Sequence, residues 1–126
     1  MKRLFAIRGA TCAQNTRESI TAQTLKMCKM IFDQNHLTPQ DVVSMHFTLT
    51  KDLDTMNPCA AFRKEEKDID TSSIPLFCSQ EAFIQGGLEK VIRLMVTVYM
   101  DELSKPEHIY IDGAEKLRPD FAKNRK

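Results

Sequence analysis

Val91-Ile92-Arg93-Leu94-Met95-Val96-Thr97-Val98-Tyr99-Met100 is the stretch that decides the fold. Valine, isoleucine and other large apolar residues crowd it, as they do a strand packed inside a sheet. It is too short to span a bilayer as a helix, and Arg93 interrupts it. Alternation places Ile92, Leu94, Val96 and Val98 on a purely apolar face and Val91, Arg93, Met95, Thr97 and Tyr99 on a mixed one. A guanidinium among such neighbours is costly unless it is paired, faces a cavity or reaches water. Alternation alone leaves two readings of Arg93 open: a cation on an exposed sheet face, or a group aimed into a site.

Working outward, Val43, Met45, Phe47 and Leu49 alternate with Ser44, His46, Thr48 and Thr50, which predicts a strand with one buried face and puts His46 on the wetter side. Ile74 to Ser79 reads as another strand, followed by the chain break Gln85-Gly86-Gly87. Downstream, Ser104-Lys105-Pro106 turns the chain back into a last strand over His108 to Asp112. At the start, Leu4 to Arg8 reads as a strand ended by Gly9. Asn15 with Glu18 three residues on predicts a helix start, and Ile20, Thr24, Met27, Cys28 and Ile31 follow at helical spacing until Asn35-His36. Thr38-Pro39-Gln40-Asp41 predicts one helical turn, and Pro58 opens a short helix before the charged, solvated run Arg63 to Asp68. The sum is α+β: about five strands in a mixed sheet packed on one long helix.

The chain has 126 residues, 42% hydrophobic and 28% charged, which suits a single domain over 1–126 with a flexible, basic tail over about 119–126, after Leu117-Arg118. Eighteen basic residues against 17 acidic ones leave a net charge of +1, so bulk charge would draw in neither nucleic acid nor an anionic membrane. Met1-Lys2-Arg3 is followed by too short an apolar run for a signal peptide, and an unexported, cytoplasmic chain is expected. Cys12, Cys28, Cys59 and Cys78 are widely spaced, and His36, His46 and His108 form no ligand pair, so reduced thiols and no metal site are expected.

Taken singly, Glu81 reads as a loop acid, Arg8 as a strand-terminal cation, Arg118 as a cap of the domain and Tyr110 as a half-buried strand aromatic. Their order along the chain says more. Arg8-Gly9-Ala10-Thr11, Pro58 to Arg63, Cys78-Ser79-Gln80-Glu81, Gly86-Gly87-Leu88, Val91-Ile92-Arg93 and Leu117-Arg118-Pro119-Asp120 follow one another over nearly the whole length. That series resembles the monofunctional, trimeric, barrel-like chorismate mutases.

The resemblance implies an isomerase that converts chorismate to prephenate in the branch leading to phenylalanine and tyrosine. It implies no cofactor, because orientation and electrostatics suffice for an intramolecular rearrangement. It also implies a pseudo-barrel homotrimer with sites at subunit interfaces. Carried over by motif, Arg93 would donate to the ether oxygen of the breaking bond, and Arg8 would hold a substrate carboxylate. Glu81, with Cys78 nearby, would hold the ring hydroxyl, and Tyr110 would bond near the side-chain carboxylate. Leu117 and Arg118 would line the mouth, with the tail folding over the ligand. Arg63, with Cys59 and Ala60 of the same helix, would come from the neighbouring subunit.

The chain departs from that pattern in places. Asn57 stands where the family usually has an aromatic residue and Ala60 near where it has a lysine, which predicts weaker substrate capture. Phe77 is bulkier than the small polar residue expected and narrows the pocket. Two other readings fit parts of the series: a catalytically weakened trimeric module binding a small dicarboxylate, and a relative of the trimeric imine deaminases, against which Arg8, Glu81, Arg93 and Leu117-Arg118-Pro119 argue in combination.

Overall fold

A computed structural model describes residues 1–122. Five strands form one mixed sheet: β1 (Lys2–Cys12), β2 (Val42–Leu49), β3 (Leu76–Gln80), β4 (Val91–Asp101) and β5 (Ile109–Tyr110), in the spatial order β3-β2-β4-β1-β5. β4 is central. It runs antiparallel to β1, from Lys2↔Asp101 to Cys12↔Val91, and antiparallel to β2 on its other side. β3 and β5 close the two edges by parallel pairing with β2 and β1.

The helices α1 (Arg17–Gln34) and α2 (Pro58–Glu65) cover one face of this sheet. The apolar row of β4 supplies Ile92, Leu94, Val96 and Val98, all 3% exposed or less, against Ile20, Met27, Ile31 and Phe62. Removing each such side chain from water contributes roughly 1.5–3 kcal/mol, so this face anchors the fold. The opposite face is packed at its β1–β5 end by the short helical segments after residue 113, through Ala10, Tyr110 and Ala114, and leaves Leu4, Met95, Tyr99 and Phe77 exposed. The long helix, the central strand and the five-strand sheet agree with the sequence reading.

Four local expectations are corrected. β1 does not end at Gly9 but continues to Cys12, because Gly9 is a packing position. A Cβ there would stand 2.7 Å from Ile31 Cδ1 and 3.2 Å from Met27 Cγ, so the missing side chain lets α1 approach the sheet. Thr16, not Asn15, caps α1, accepting from the Ser19 N–H at 3.0 Å. Asn15 instead ties down the loop at Asp54 and Thr55. An irregularity in the β2–β4 ladder between Val42 and Ser44 buries Val42 and turns Val43 outward, shifting the alternation by one residue. Ile74 lies in a turn before β3, its N–H bonded to Thr71 O, although its side chain is buried.

The turn at Thr38 forms as expected, with Pro39–Asp41 in a 3-10 helix and Asp41 Oδ2 accepting from the Thr38 N–H at 2.8 Å. The α2 start also forms. Asn57 Oδ1 accepts from the Cys59 N–H at 2.8 Å, which gives this residue a capping role. At the far end, Ala114–Leu117 makes a 3-10 turn and α3 (Pro119–Ala122) follows. The tail, expected to be flexible from about residue 119, instead forms α3 over its first four residues, and the remainder, Lys123 to Lys126, with its expected fold over a ligand, lies outside the described residues.

Candidate active site

Strand register places the chemistry on the face away from α1 and α2. Side chains directly opposite one another across a sheet share a face. Arg93 of β4 is flanked by Ala10 of β1 and Thr48 of β2, with Tyr110 beyond Ala10 and Ser79 beyond Thr48. One step along, Arg8, Met95, His46 and Phe77 form the next row.

Glu81 reaches this face from just past β3. Its N–H continues the ladder by bonding Leu49 O at 2.7 Å, and its side chain turns back toward β4. There Oε1 accepts from the Thr48 hydroxyl at 2.9 Å and lies 2.8 Å from Arg93 Nε. Nε is buried and its N–H is not aligned on that oxygen, so charge, not a directed hydrogen bond, holds the pair. The Arg93 side chain is 42% exposed and that of Glu81 22%, so the pair is partly screened, with the guanidinium open on one side.

Arg8, Glu81 and Arg93 line one cleft of about 400 Å³, together with Gly9, His46, Thr48, Leu94 and Met95. A second hollow of about 180 Å³ lies on the other side of the Glu81–Arg93 pair, walled by Phe83, Ile84 and Leu88. The first holds two cations and one carboxylate at a single opening, an arrangement suited to a small anion that also bears a hydroxyl group. The backbone at Arg8 is fixed from the far end of the chain, its N–H donating to His108 Nδ1 at 3.0 Å.

The other residues singled out in the sequence fall into separate groups. Tyr110 is 4% exposed and packs on Ala10 and Ala114, with its ring 5.8 Å from that of Phe121. Only the small Ala10 separates its row position from Arg93. Leu117 packs on the same cluster. Arg118 grips Asp120 with two hydrogen bonds, at 3.1 and 2.7 Å, and its guanidinium lies over the Phe121 ring. That pairing raises the arginine and lowers the aspartate from their usual pKa ranges.

Phe77 is 65% exposed on the cleft side of the sheet, edge-on to His46. Cys78 instead packs toward the core, beside Cys59 of α2. A hydrogen bond between the two thiols holds Cys78 below the ordinary thiol range, while the same bond and burial push Cys59 up. Arg63 is exposed on the last turn of α2, and Ala60 is half-buried on its first. The cleft therefore unites Arg8, Glu81 and Arg93 and leaves Cys59, Cys78, Arg63 and Arg118 outside it. Thr48 and His46 are cleft residues that the sequence reading did not select. Their place on the wetter face of β2 was the available signal.

Comparison with known proteins follows the same lines. The sequence profile of a family described as chorismate mutase type I matches residues 4–121. The chain is 36% identical over 118 residues to the chorismate mutase AroH of Bacillus subtilis (strain 168), covering 92% of this chain and 91% of that protein. A solved chorismate mutase from Clostridium thermocellum superposes with a TM-score of 0.80 at 38% identity, covering 89% of this chain and 98% of that one.

Proposed function

The chain belongs to the chorismate mutase type I family, and from that premise we propose that it is an isomerase converting chorismate to prephenate, a step of aromatic amino acid biosynthesis. The observation that carries the reading is the Arg93–Glu81 pair, 2.8 Å apart in a cleft that also holds Arg8.

The reaction is a 3,3-sigmatropic rearrangement within one molecule, which needs no nucleophile and no proton transfer. Holding the substrate in its folded conformer removes most of the orientational cost. As the carbon–oxygen bond breaks, negative charge grows on the ether oxygen, and the Arg93 guanidinium donates to it more strongly than in the ground state. Arg8 binds a substrate carboxylate through its planar fork. Glu81 accepts from the ring hydroxyl and faces the ring, where positive character develops. Thr48 keeps that carboxylate in place. Tyr110 extends the row toward the side-chain carboxylate, and Leu117 and Arg118 form the rim.

The same reading makes the protein a homotrimer. The sheet face away from α1 and α2 exposes Leu4, Met95, Tyr99 and Phe77, apolar groups suited to burial against further copies. Arg63 and Ala60 on α2 then complete a neighbour's cleft, whereas Cys59 faces the core of its own chain beside Cys78. Residues 1–126 act as one domain, in the cytoplasm, with no cofactor and no nucleic-acid or membrane partner. Among the described residues no helix is long and apolar enough to cross a membrane.

The test is a continuous assay of chorismate loss with the purified protein and no additions, with prephenate identified as product. Sedimentation counts the subunits. Reversible binding of a dicarboxylate with chorismate left unchanged would replace the isomerase by a binding module.

A further inference from the structure

His46 lines the cleft and has no part in the mechanism above. It sits in the row Arg8–Met95–His46–Phe77, one step from the Arg93–Thr48 pair. Although exposed, the ring is held on two sides. Nε2 lies 2.9 Å from Ser79 Oγ, and the Phe77 ring meets it edge-on with centroids 5.4 Å apart. A surface imidazole usually turns in water with many rotamers. This one is fixed by two residues of the neighbouring strand, at the wall of a site that gathers cations.

We propose that His46 is a further substrate-binding residue, a carboxylate contact that strengthens capture of a dianion beside Arg8. The proposal rests on the chorismate reading of this cleft. Imidazole is the side chain that gains a positive charge between pH 8 and pH 5. The charged groups facing it are Arg8 from β1, Arg93 from β4 and Glu81 beyond β3; Met95, Phe77 and Ser79 are neutral. A charged imidazole binds a carboxylate more strongly than a neutral one, so substrate binding and protonation of His46 favour each other. The sign follows: binding tightens as pH falls.

The test measures kcat and KM for chorismate from pH 5.5 to 8.5 in wild type, His46→Gln, His46→Leu and Ser79→Ala, each checked for folding by thermal melting. Wild-type KM should fall about fivefold from pH 8 to pH 5.5 with kcat nearly constant, the size of a neutral hydrogen bond becoming a charged one. His46→Gln retains a hydrogen bond to Ser79 but no charge, and should hold KM high and flat. Ser79→Ala, which frees the ring, should keep a weakened pH response. Turnover in wild type with a KM profile that His46→Gln leaves unchanged overturns the proposal. No turnover by wild type at any pH overturns the chorismate reading itself, and this proposal with it.

Discussion

Thr48 donates its hydroxyl proton across 2.9 Å to the same Glu81 oxygen that faces Arg93 Nε. One carboxylate oxygen thus serves a positioning group and a cation at once. Arg93→Ala should lower kcat by roughly 10³-fold, the scale of losing one donor to a developing oxyanion. Thr48→Val should be milder, about fivefold, since a net hydrogen bond of about 1 kcal/mol is lost. Thr48→Ser should restore it. Steady-state kinetics on the three variants check this, and an Arg93→Ala enzyme of near-normal turnover would refute the assigned role.

Gly9 is a packing requirement, which predicts a cost where the backbone itself would tolerate a side chain. Gly9→Ala should destabilise the fold by about 1–3 kcal/mol, as a methyl forced into a filled space does. Ile31 and Met27 must move to admit it. Paired with Ile31→Val, which removes the atom at 2.7 Å, the penalty should shrink. Urea melts of the single and double variants measure the coupling, and strictly additive losses would argue against the contact.

The thiol pair predicts an order of reactivity. Cys78 sits below the usual thiol range because Cys59 hydrogen-bonds it, while burial raises Cys28 well above that range. In the folded protein, iodoacetamide should label Cys78 before Cys28, because the thiolate is the nucleophile. Replacing Cys59 by alanine should move the pH midpoint of Cys78 labelling upward. Mass spectrometry of timed samples gives both results, and an unmoved midpoint would break the link between the thiols.

Acid should expose the Asp41 cap. The Thr38 N–H, and then the Thr38 hydroxyl and Lys2, hold this carboxylate below its usual range. A depressed folded-state value gives stability that is present above the unfolded carboxylate value of about 4 and is lost as pH falls through the folded one. Asp41→Asn should therefore cost about 1 kcal/mol at pH 7, the usual worth of a cap. The gap between variant and wild type should close below about pH 3. Equal gaps at both pH values would contradict the assignment.

Much of this architecture could be read from residue order. The faces of β4 were legible because every second residue from Ile92 to Val98 is large and apolar, a signal no helix or loop imitates. The Pro39 and Pro58 starts were legible from local chemistry alone. Gly9 misled because a glycine that admits a helix and one that breaks a strand are the same letter, and only the α1 position distinguishes them. Val43 misled because an irregularity in a ladder shifts alternation without leaving a mark in composition. At the site, Arg93 announced itself as a charge out of place. Its pairing with Glu81 did not, since the 11 residues between them are crossed by pairing β3 with β2 and β2 with β4. Neither periodicity nor motif brought Thr48 or His46 forward, for each is an ordinary polar residue on the open face of a strand.

The pairing of β1 with β4, closed from Lys2↔Asp101 to Cys12↔Val91, also governs how the molecule comes into being. β1 is made well before β4 during synthesis and finds this central partner only after roughly eighty to a hundred further residues have been joined. Closing so wide a loop delays the reward for forming the ladder, so folding should be slow relative to domains of local contacts. Arg8 and Arg93 belong to those two strands. The cleft is therefore a late product of folding, assembled with the centre of the sheet and not before it.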